Sequence, residues 1–309
     1  MNIETFSHKS VLLRECINGL NIKPDGIYID ATVGGAGHAC EIAKQLRGGK
    51  LFAFDKDPDA VEVAKDRLSG YSARVINENF KEMEFELKSR GIFAVDGVLI
   101  DLGVSSYQLD NEKRGFSYLH EGVLDMRMSK QGKTAADIVN TYTQKELMDI
   151  LKTYGEERFA YKIALNIVKK RTQKPIETTT ELADIIKSSI PAKFKRDKNP
   201  CKRSFQAIRI AVNCELDDLE SGLNAAFNML NLGGRLVIIS FHSLEDRIVK
   251  HKYLSFAKGC ICPVGSPICV CGNKPKARLI NKKPIEPTEE EKKCNPRCKS
   301  AKLRILEKL

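Results

Sequence analysis

An apolar strand that ends in an acid and runs directly into a glycine-rich loop constrains this chain more than any other feature. The stretch reads Gly26-Ile-Tyr-Ile-Asp30-Ala-Thr-Val-Gly34-Gly-Ala-Gly37-His38, and a helical pattern follows it. Glycines let backbone amides approach a ligand, and a helix N-terminus adds a positive field that polar ligand groups can use. The stretch therefore predicts a nucleotide-cofactor pocket at the end of a parallel strand.

A second acid, Asp55, ends the next short apolar run, Leu51-Phe-Ala-Phe-Asp55. In a βαβ unit both strand ends open on the same edge of the sheet, so the Asp55 carboxylate is placed to accept hydrogen bonds from ribose hydroxyls. These features suit either NAD or S-adenosylmethionine. A pyrophosphate-binding loop would read G-x-G-x-x-G directly after the strand, whereas here Asp30 comes first. An acid at this point would repel pyrophosphate but suits a cationic methionyl group.

Apolar runs and helical patterns alternate along the first hundred residues or so, which indicates a parallel sheet with right-handed crossovers. We expect the pair Gly233-Gly234 to end a helix before the fifth strand. The predicted fold is α/β, with a Rossmann-like seven-stranded domain formed by residues 1–108 and 214–309 and an all-helical insertion at residues 109–213. The seven strands are expected near Ile27–Asp30, Leu51–Asp55, Arg74–Asn77, Gly97–Asp101, Arg235–Ser240, Ala277–Asn281 and Lys302–Glu307.

The charge of the chain is unevenly distributed. The 309 residues carry a formal charge of +11, and residues 250–309 hold fifteen Lys or Arg against five Asp or Glu, which is +10. Such a tail suits phosphate contacts, with a merely solvated basic tail as the alternative. The N-terminus is polar, and no apolar run approaches the ~20 residues of a membrane helix. We therefore expect a cytoplasmic protein without a membrane span.

Seven sequence blocks, in order, resemble the ribosomal RNA small subunit methyltransferase H family. The resemblance covers nearly the whole chain. It implies a class I methyltransferase fold that uses S-adenosylmethionine, an inserted substrate-recognition domain, and methylation of N4 of a cytidine in the decoding region of 16S rRNA in the small ribosomal subunit. The blocks are His8-Lys-Ser-Val-Leu-Leu13, Asp30-Ala-Thr-Val-Gly-Gly-Ala-Gly-His38, Asp101-Leu-Gly-Val-Ser-Ser106, Arg114-Gly-Phe-Ser117, Leu124-Asp-Met-Arg127, Tyr154-Gly-Glu-Glu-Arg158 and Ser240-Phe-His-Ser-Leu-Glu-Asp-Arg247.

The resemblance also implies a set of cofactor contacts. The loop amides would meet the methionyl part, and Asp55 would hold the ribose. Phe80 would cover the adenine face, although without the resemblance a phenylalanine here is more typical of a core aromatic. We do not expect His38 to act as a base. The cofactor-binding residues carried over in this way are Ala36, Gly37, His38, Asp55, Phe80, Asp101 and Gln108.

Asp101 is also the candidate catalytic residue. The lone pair of cytosine N4 is delocalised into the ring, so an acceptor near the N–H would help to localise it and take up the proton. Enzymes that methylate amino groups of DNA usually place Asp or Asn before Pro-Pro and an aromatic, whereas Leu102 and Gly103 follow here. This difference favours a cofactor contact for Asp101, with alignment and desolvation supplying most of the rate.

Two further segments are candidates for substrate binding. A paired cytosine cannot present N4, so the RNA must be single-stranded or the base must be turned out. The segment Lys193–Arg203 carries six cations against one acid, which suits phosphate contacts or a solvated loop. In Ser240–Arg247, the side chains of His242, Glu245, Asp246 and Arg247 would line a base pocket, or the two acids would simply begin the next helix.

Ten cysteines in a chain with no recognisable leader indicate thiols or a metal site rather than a disulfide framework. Cys260, Cys262, Cys269 and Cys271 form two C-x-C pairs that could supply four thiolates to zinc. The C-x-C spacing is less specific than C-x-x-C and methyl transfer needs no metal, so zinc is not the favoured interpretation. Cys294 and Cys298 are alternative ligands.

Two other classes of function are compatible with parts of the sequence. One is a non-catalytic RNA-binding assembly factor that retains the cofactor fold, and the other is an NAD-dependent oxidoreductase. The seven blocks favour the methyltransferase over both. No heptad or other pairing signal indicates an oligomeric state.

Overall fold

The computed structural model describes residues 10–194, 199–260, 262, 268 and 270–309. His8 and Lys9 of the first sequence block, residues 195–198 of the basic segment, and Cys269 lie outside the described residues. The chain forms two compact units. One consists of the residues up to Gly103 together with Leu216–Leu309, and the other is Val104–Glu215.

The described residues contain one seven-stranded sheet with the order β3-β2-β1-β4-β5-β7-β6. Strands β1 to β5 are parallel, while β7 is antiparallel to both β5 and β6. This confirms the predicted fold class and all seven predicted strands. The strands are β1 Ile27–Asp30, β2 Lys50–Phe54, β3 Ala73–Ile76, β4 Val95–Asp101, β5 Leu230–Ser240, β6 Ala277–Leu279 and β7 Lys302–Lys308.

Thirteen α-helices are present in the described part of the chain, and α5 to α10 belong to the second unit. In chain order they are α1 Leu13–Leu20, α2 Gly37–Gln45, α3 Pro58–Arg67, α4 Met83–Lys88, α5 Ser106–Asp110, α6 Ala135–Thr141, α7 Gln144–Gly155, α8 Ala160–Arg171, α9 Thr179–Ser189, α10 Lys202–Asn213, α11 Glu215–Met229, α12 Ser243–Ala257 and α13 Glu289–Cys294.

Both faces of the sheet are buried. Because side chains alternate along a strand, Ile29 belongs to one apolar cluster and its neighbour Tyr28 to the other. Leu99 and Ile100 of β4 divide in the same way. With both faces covered, the carboxyl ends of the parallel strands are where polar side chains of the sheet can meet a ligand.

Strand β5 begins earlier than the sequence pattern predicts. Gly233 and Gly234 lie within it rather than between a helix and the strand. The register of β5 against β4 shifts here, because Val95 pairs with Leu230 whereas Gly97 pairs with Arg235. Gly233 has φ +76°, a backbone conformation that glycine adopts without strain. The glycines therefore form an irregularity in the strand, as in a β-bulge.

The second unit has its own apolar core, in which α6 to α10 take part. Four of its helices begin with a capping box, formed by Ser105 with Gln108, Thr134 with Asp137, Thr143 with Glu146, and Thr178 with Glu181. Helix α8 begins at Ala160, and Glu156 ends α7 in a left-handed conformation with φ +47°.

Two of the sequence blocks in the second unit have structural roles. The buried guanidinium of Arg114 donates from Nη2 to the carbonyl oxygens of Arg127 and Met128, each at 2.9 Å. Gly115 has φ +69°, and a Cβ there would lie 2.1 Å from the carbonyl oxygen of Val123. These contacts hold the two blocks Arg114–Ser117 and Leu124–Arg127 together.

None of the helices among the described residues combines the length and the apolar character that crossing a bilayer requires.

Candidate active site

The acids predicted at the strand ends lie at one edge of the sheet. Asp30 is the last residue of β1, Asp55 directly follows β2, and Asp101 is the last residue of β4. Glu245 lies in the first turn of α12, just after β5. The four parallel strands bring these carboxylates to the same carboxyl edge, where the structure places the glycine-rich loop as well.

The loop between β1 and α2 has an unusual backbone. Gly34 and Ala36 both have positive φ, +47° and +61°, and Ala36 caps the N-terminus of α2 while fully buried. Gly37 has no room for a side chain, because a Cβ would lie 2.0 Å from the Oγ of Ser10. The Nη1 of Arg67 donates to the Gly35 carbonyl oxygen at 2.6 Å and holds the loop from outside. The loop is therefore fixed before any ligand binds.

Asp55 is bonded to the same loop. Its Oδ2 accepts from the Gly34 N–H at 2.8 Å, and its Oδ1 accepts from the Asp57 N–H at 2.9 Å. Burial raises the pKa of Asp55 to about 6, although these two hydrogen bonds oppose the shift. Each carboxylate oxygen has a second lone pair, so Asp55 can still accept from a pair of hydroxyl groups.

His38 is a buried neutral imidazole that faces Asp101. Burial lowers its pKa to about 4, and its Nε2 lies 3.1 Å from the Val11 carbonyl oxygen. A carbonyl only accepts, so Nε2 carries the proton and Nδ1 is an acceptor. Nδ1 lies 3.7 Å from Oδ2 of Asp101, and because the ring is neutral this contact is not an ion pair.

Asp101 holds its proton unusually tightly. Burial raises its pKa well above the ordinary value, and the carboxylates of Asp30 and Glu245 raise it further. Its backbone N–H donates to Oγ1 of Thr32 at 2.7 Å, which fixes the end of β4 against the loop. Its Oδ1 is buried and has no hydrogen-bond partner among the described residues. An unpaired buried carboxyl oxygen is costly, so Asp101 is prepared for a ligand.

Asp30 completes the acidic cluster. Burial raises its pKa to about 7, hydrogen bonds from the backbone of Thr32 and Ala39 lower it, and the charge of Asp55 raises it. The carboxyl groups of Asp30, Asp55 and Asp101 therefore resist ionisation, and the charge of Glu245 adds to the effect on Asp101. A cation bound among these groups would favour their charged forms, whereas an anion would not.

Phe80 lies beyond β3, at the start of a short 3-10 helix, and its ring lies against helix α11. Its ring is partly buried and packs against Gly222, where a Cβ would lie 2.2 Å from Cε2 of the ring. One turn earlier on the same helix, the buried Asp218 accepts from Nδ2 of Asn79 at 2.6 Å and from Nζ of Lys81 at 2.9 Å. Asp218 also lies 3.7 Å from Nζ of Lys56, the residue after Asp55.

Helix α11 therefore fixes the segment that carries Phe80, because the single carboxylate of Asp218 bonds the residues on both sides of Phe80 and Gly222 lies under the ring. The sequence did not reveal this role. Asp218 and Gly222 are four residues apart, as on any helix face, and no local signal distinguishes them. The role of Thr32 was not evident from the sequence either, because no local signal shows that its side chain meets the backbone of Asp101.

Gln108 belongs to the second unit. It lies in α5, where its Oε1 accepts from the Ser105 N–H at 3.0 Å and its N–H donates to Oγ of Ser105 at 3.2 Å. This is a capping box that begins the helix. The cofactor contact that the sequence implies for Gln108 stays a prediction.

The block after β5 is organised as a helix start. His242 is the N-cap of α12, and Glu245 accepts from the N–H groups of Phe241 and His242 at 2.8 and 3.3 Å. Asp246 pairs with Nε of Arg304 at 2.7 Å on strand β7. Of the two interpretations, the structure therefore favours the helix start for these acids, while Glu245 also acts electrostatically on Asp101.

Three of the four cysteines named as metal ligands lie together. The Sγ atoms of Cys260, Cys262 and Cys271 are within 4.8 Å of one another. Cys269 lies outside the described residues. Cys298 is buried in the apolar core on one face of the sheet, so it is not part of this group.

Five parallel strands, an antiparallel β7 between β5 and β6, a glycine loop after β1 and an acid after β2 define the class I fold of methyltransferases that use S-adenosylmethionine. Sequence comparison gives the family. Residues 5–309 match the MraW methylase family, and the chain belongs to it. Membership confirms the prediction of a methyltransferase with S-adenosylmethionine as its cofactor, rather than an NAD-dependent oxidoreductase.

Close relatives match over nearly their full length. A protein from Clostridium botulinum (strain Kyoto / Type A2), named ribosomal RNA small subunit methyltransferase H, is 53% identical over 307 residues, covering 98% of this chain and 99% of the relative. A protein of the same name from Clostridioides difficile (strain 630) is 52% identical over 309 residues, covering 98% of this chain and 99% of the relative. These matches confirm the family that the sequence blocks indicated.

More distant similarity is found among solved structures. One is a putative rRNA methylase from Clostridium thermocellum, with 12% identity and a TM-score of 0.46, covering 98% of this chain and all of that one. Another is a putative methyltransferase from Streptococcus mutans in complex with SAH, with 12% identity and a TM-score of 0.44, covering 98% of this chain and all of that one.

The raised pKa of Asp30 predicts a stability that depends on pH. The folded protein keeps this proton up to about pH 7, whereas an ordinary Asp has a pKa of 3.8. Between these values the folded state binds more protons than the unfolded state, so the free energy of unfolding falls as pH rises. Asp30→Asn should therefore melt several degrees above the wild type near pH ~8, and this advantage should vanish near pH ~4.

Circular dichroism melts across this pH range measure the effect. Asp66→Asn, which changes an exposed acid at the end of α3, is the matched control and should shift the melting temperature little at either pH. An equal advantage of Asp30→Asn at both ends of the range would show that Asp30 ionises normally in the folded protein.

Proposed function

We propose that this protein transfers a methyl group from S-adenosylmethionine to N4 of a cytidine in the decoding region of 16S rRNA, with the small ribosomal subunit as its partner. The observation that carries the proposal is the buried, unpaired Oδ1 of Asp101 in an acidic cluster at the cofactor edge of the sheet. The names of relatives 53% and 52% identical over their full length support the RNA substrate. The proposal places the reaction in the cytoplasm, with the ribosomal subunits.

The residues at the sheet edge fit this cofactor. When bound, it supplies a methyl group on a positively charged sulfonium. The acidic cluster of Asp30, Asp55, Asp101 and Glu245 favours a cation. The backbone amides of Gly37 and His38, at the start of α2, would meet the methionyl part, and Asp55 would accept from the ribose hydroxyls. Phe80 stacks on the adenine, a contact of ~1–3 kcal/mol by analogy with base stacking on aromatic side chains.

Asp101 has two roles in the proposed reaction. Beside a bound cation its carboxyl group loses its proton, because the positive charge lowers the raised pKa. The carboxylate then accepts a hydrogen bond from the N4 amine and helps to localise its lone pair. Because methyl transfer would remove the positive charge from the site, the affinity of Asp101 for a proton would then return. Asp101 then takes the proton that N4 releases.

His38 and Thr32 position this carboxyl group. Thr32 holds the backbone of Asp101, and the neutral His38 presents Nδ1 as an acceptor towards Oδ2. When Asp101 is protonated, the acceptor Nδ1 of His38 lies beside Oδ2, so the proton has a defined place on that oxygen. Alignment in a site that excludes water supplies most of the rate in this proposal, with no strong base.

Recognition of the RNA falls to the helical unit and the basic tail. The target base must be unpaired or turned out of its helix to reach the site. The tail, with fifteen cations against five acids from residue 250 onwards, supplies phosphate contacts that fix the RNA without reading its sequence. In the proposal, the helical domain inserted at residues 109–213 recognises the target RNA.

A methyl-transfer assay tests the proposed function. Purified full-length protein, S-adenosylmethionine and small subunits from cells that lack this activity should yield N4-methylcytidine, detected by mass spectrometry of nucleosides from the digested RNA. Asp101→Asn should lose about a hundredfold or more in rate, as is usual when a group that assists proton transfer is removed. Asp66→Asn should retain the wild-type rate.

A folded, cofactor-binding protein that forms no N4-methylcytidine on any form of the subunit would contradict the proposal. If Asp101→Asn also restored growth or subunit assembly as well as the wild type, the non-catalytic assembly factor would be the better account.

Gly222 tests the adenine contact. A Cβ at Gly222 would displace the Phe80 ring, so Gly222→Ala should weaken binding of S-adenosylhomocysteine by about tenfold, the loss of part of one stacking contact. Ser221→Ala, an exposed position next to it on α11, is the matched control and should bind normally. Calorimetric titration measures both. Unchanged affinity in a folded Gly222→Ala protein would show that Phe80 belongs to the core alone.

A further inference from the structure

Three cysteines form a compact group in the connection between α12 and β6. The Sγ atoms of Cys260, Cys262 and Cys271 lie within 4.8 Å of one another, and those of Cys260 and Cys271 are 3.7 Å apart. A disulfide needs about 2.0 Å between its sulfurs, so this is not a bonded pair. Zinc with Zn–S bonds of ~2.3 Å in tetrahedral geometry holds its sulfurs ~3.8 Å apart. The observed spacing fits that edge.

A backbone N–H group donates a hydrogen bond to the sulfur of each of the three cysteines. The N–H of Cys262 donates to Sγ of Cys260 at 3.4 Å, and the N–H of Asn273 donates to Sγ of Cys271 at 3.5 Å. Sγ of Cys262 accepts from the N–H of Val270. For Cys260 and Cys271 the donor lies two residues after the cysteine. Such hydrogen bonds favour thiolate over thiol, and thiolate is the form that binds metal.

We propose that Cys260, Cys262 and Cys271 bind a structural zinc ion. Thiolate sulfur favours zinc over harder cations such as magnesium or calcium, and a closed thiolate site is typical of zinc that stabilises a fold. The site is independent of the methyl transfer, because none of its ligands belongs to the acidic cluster at the strand ends. The C-x-C spacing alone did not favour zinc, whereas the distances between the described sulfurs do.

The metal has a defined place in the fold. The two ends of the connection are already joined, since the N–H of Lys276 donates to the carbonyl oxygen of Phe256 at 2.9 Å. Nδ2 of Asn273 donates to the carbonyl oxygen of Lys258 at 3.0 Å and so ties the two sides together. Zinc would close the same connection further out, where Lys258 and Lys274 flank the cysteines. It would therefore stabilise the edge of the sheet at β6 and fix a basic surface.

Metal analysis of the full-length protein, purified without chelator or histidine tag, tests the site. The proposal predicts one zinc per chain by elemental mass spectrometry. Cobalt added to the metal-depleted protein should give an intense sulfur-to-cobalt charge-transfer band. Cys260→Ser and Cys271→Ser should each lose the zinc and the band, while Cys214→Ser, an exposed cysteine in the other unit, should keep both.

Thermal melts separate loss of metal from loss of fold. Chelation should lower the melting temperature of the wild type but not that of Cys271→Ser, and cofactor affinity should stay unchanged in both. Zinc absent from the wild type, a cobalt spectrum that the two cysteine variants share with it, or a Cys260–Cys271 disulfide in the purified protein would each overturn the proposal.

Discussion

Burial of carboxyl groups at the carboxyl edge of the sheet is the constraint on which the site depends. Asp30, Asp55 and Asp101 occupy strand ends that the parallel topology forces together, and burial raises the pKa of each. Asp30 and Asp55 accept hydrogen bonds from backbone N–H groups of the loop, but Oδ1 of Asp101 has no partner in the described residues. The folded protein therefore carries a cost in stability that a bound cation relieves.

The same arrangement explains why the loop is rigid. Gly34 donates to Asp55, Thr32 accepts from Asp101, and Gly37 lies against Ser10, so three different elements hold the loop between β1 and α2. A loop fixed in this way loses little conformational freedom when a ligand binds. On the other side of the site, Asp218 and Gly222 of α11 do the same for the segment that carries Phe80. The proposed adenine contact thus depends on a helix whose first residue, Glu215, is the last residue of the second unit.

Much of this could be predicted from the sequence, because it follows from strand ends. The apolar runs that finish at Asp30, Asp55 and Asp101 gave the sheet edge and its acids, and both faces of the sheet are apolar, as expected of parallel strands. The position of Gly233 within β5 could not be predicted, since a glycine pair ends a helix as readily as it forms a bulge. Nor could the roles of Asp218 and Gly222, which depend on which helix face meets Phe80. The protonation of His38 and Asp101 depends on burial by residues distant in sequence, which no local pattern records.

Proton release on cofactor binding tests the central claim most directly. Calorimetric titrations near neutral pH, in buffers of different ionisation enthalpy, count the protons that leave the protein. The account predicts that S-adenosylmethionine releases protons from the acidic cluster and binds more tightly as pH rises from about 6 to about 8. S-adenosylhomocysteine, which lacks the sulfonium charge, should release fewer, and Asp101→Asn should reduce the difference between the two ligands. Equal proton release with both ligands in the wild type would contradict the account.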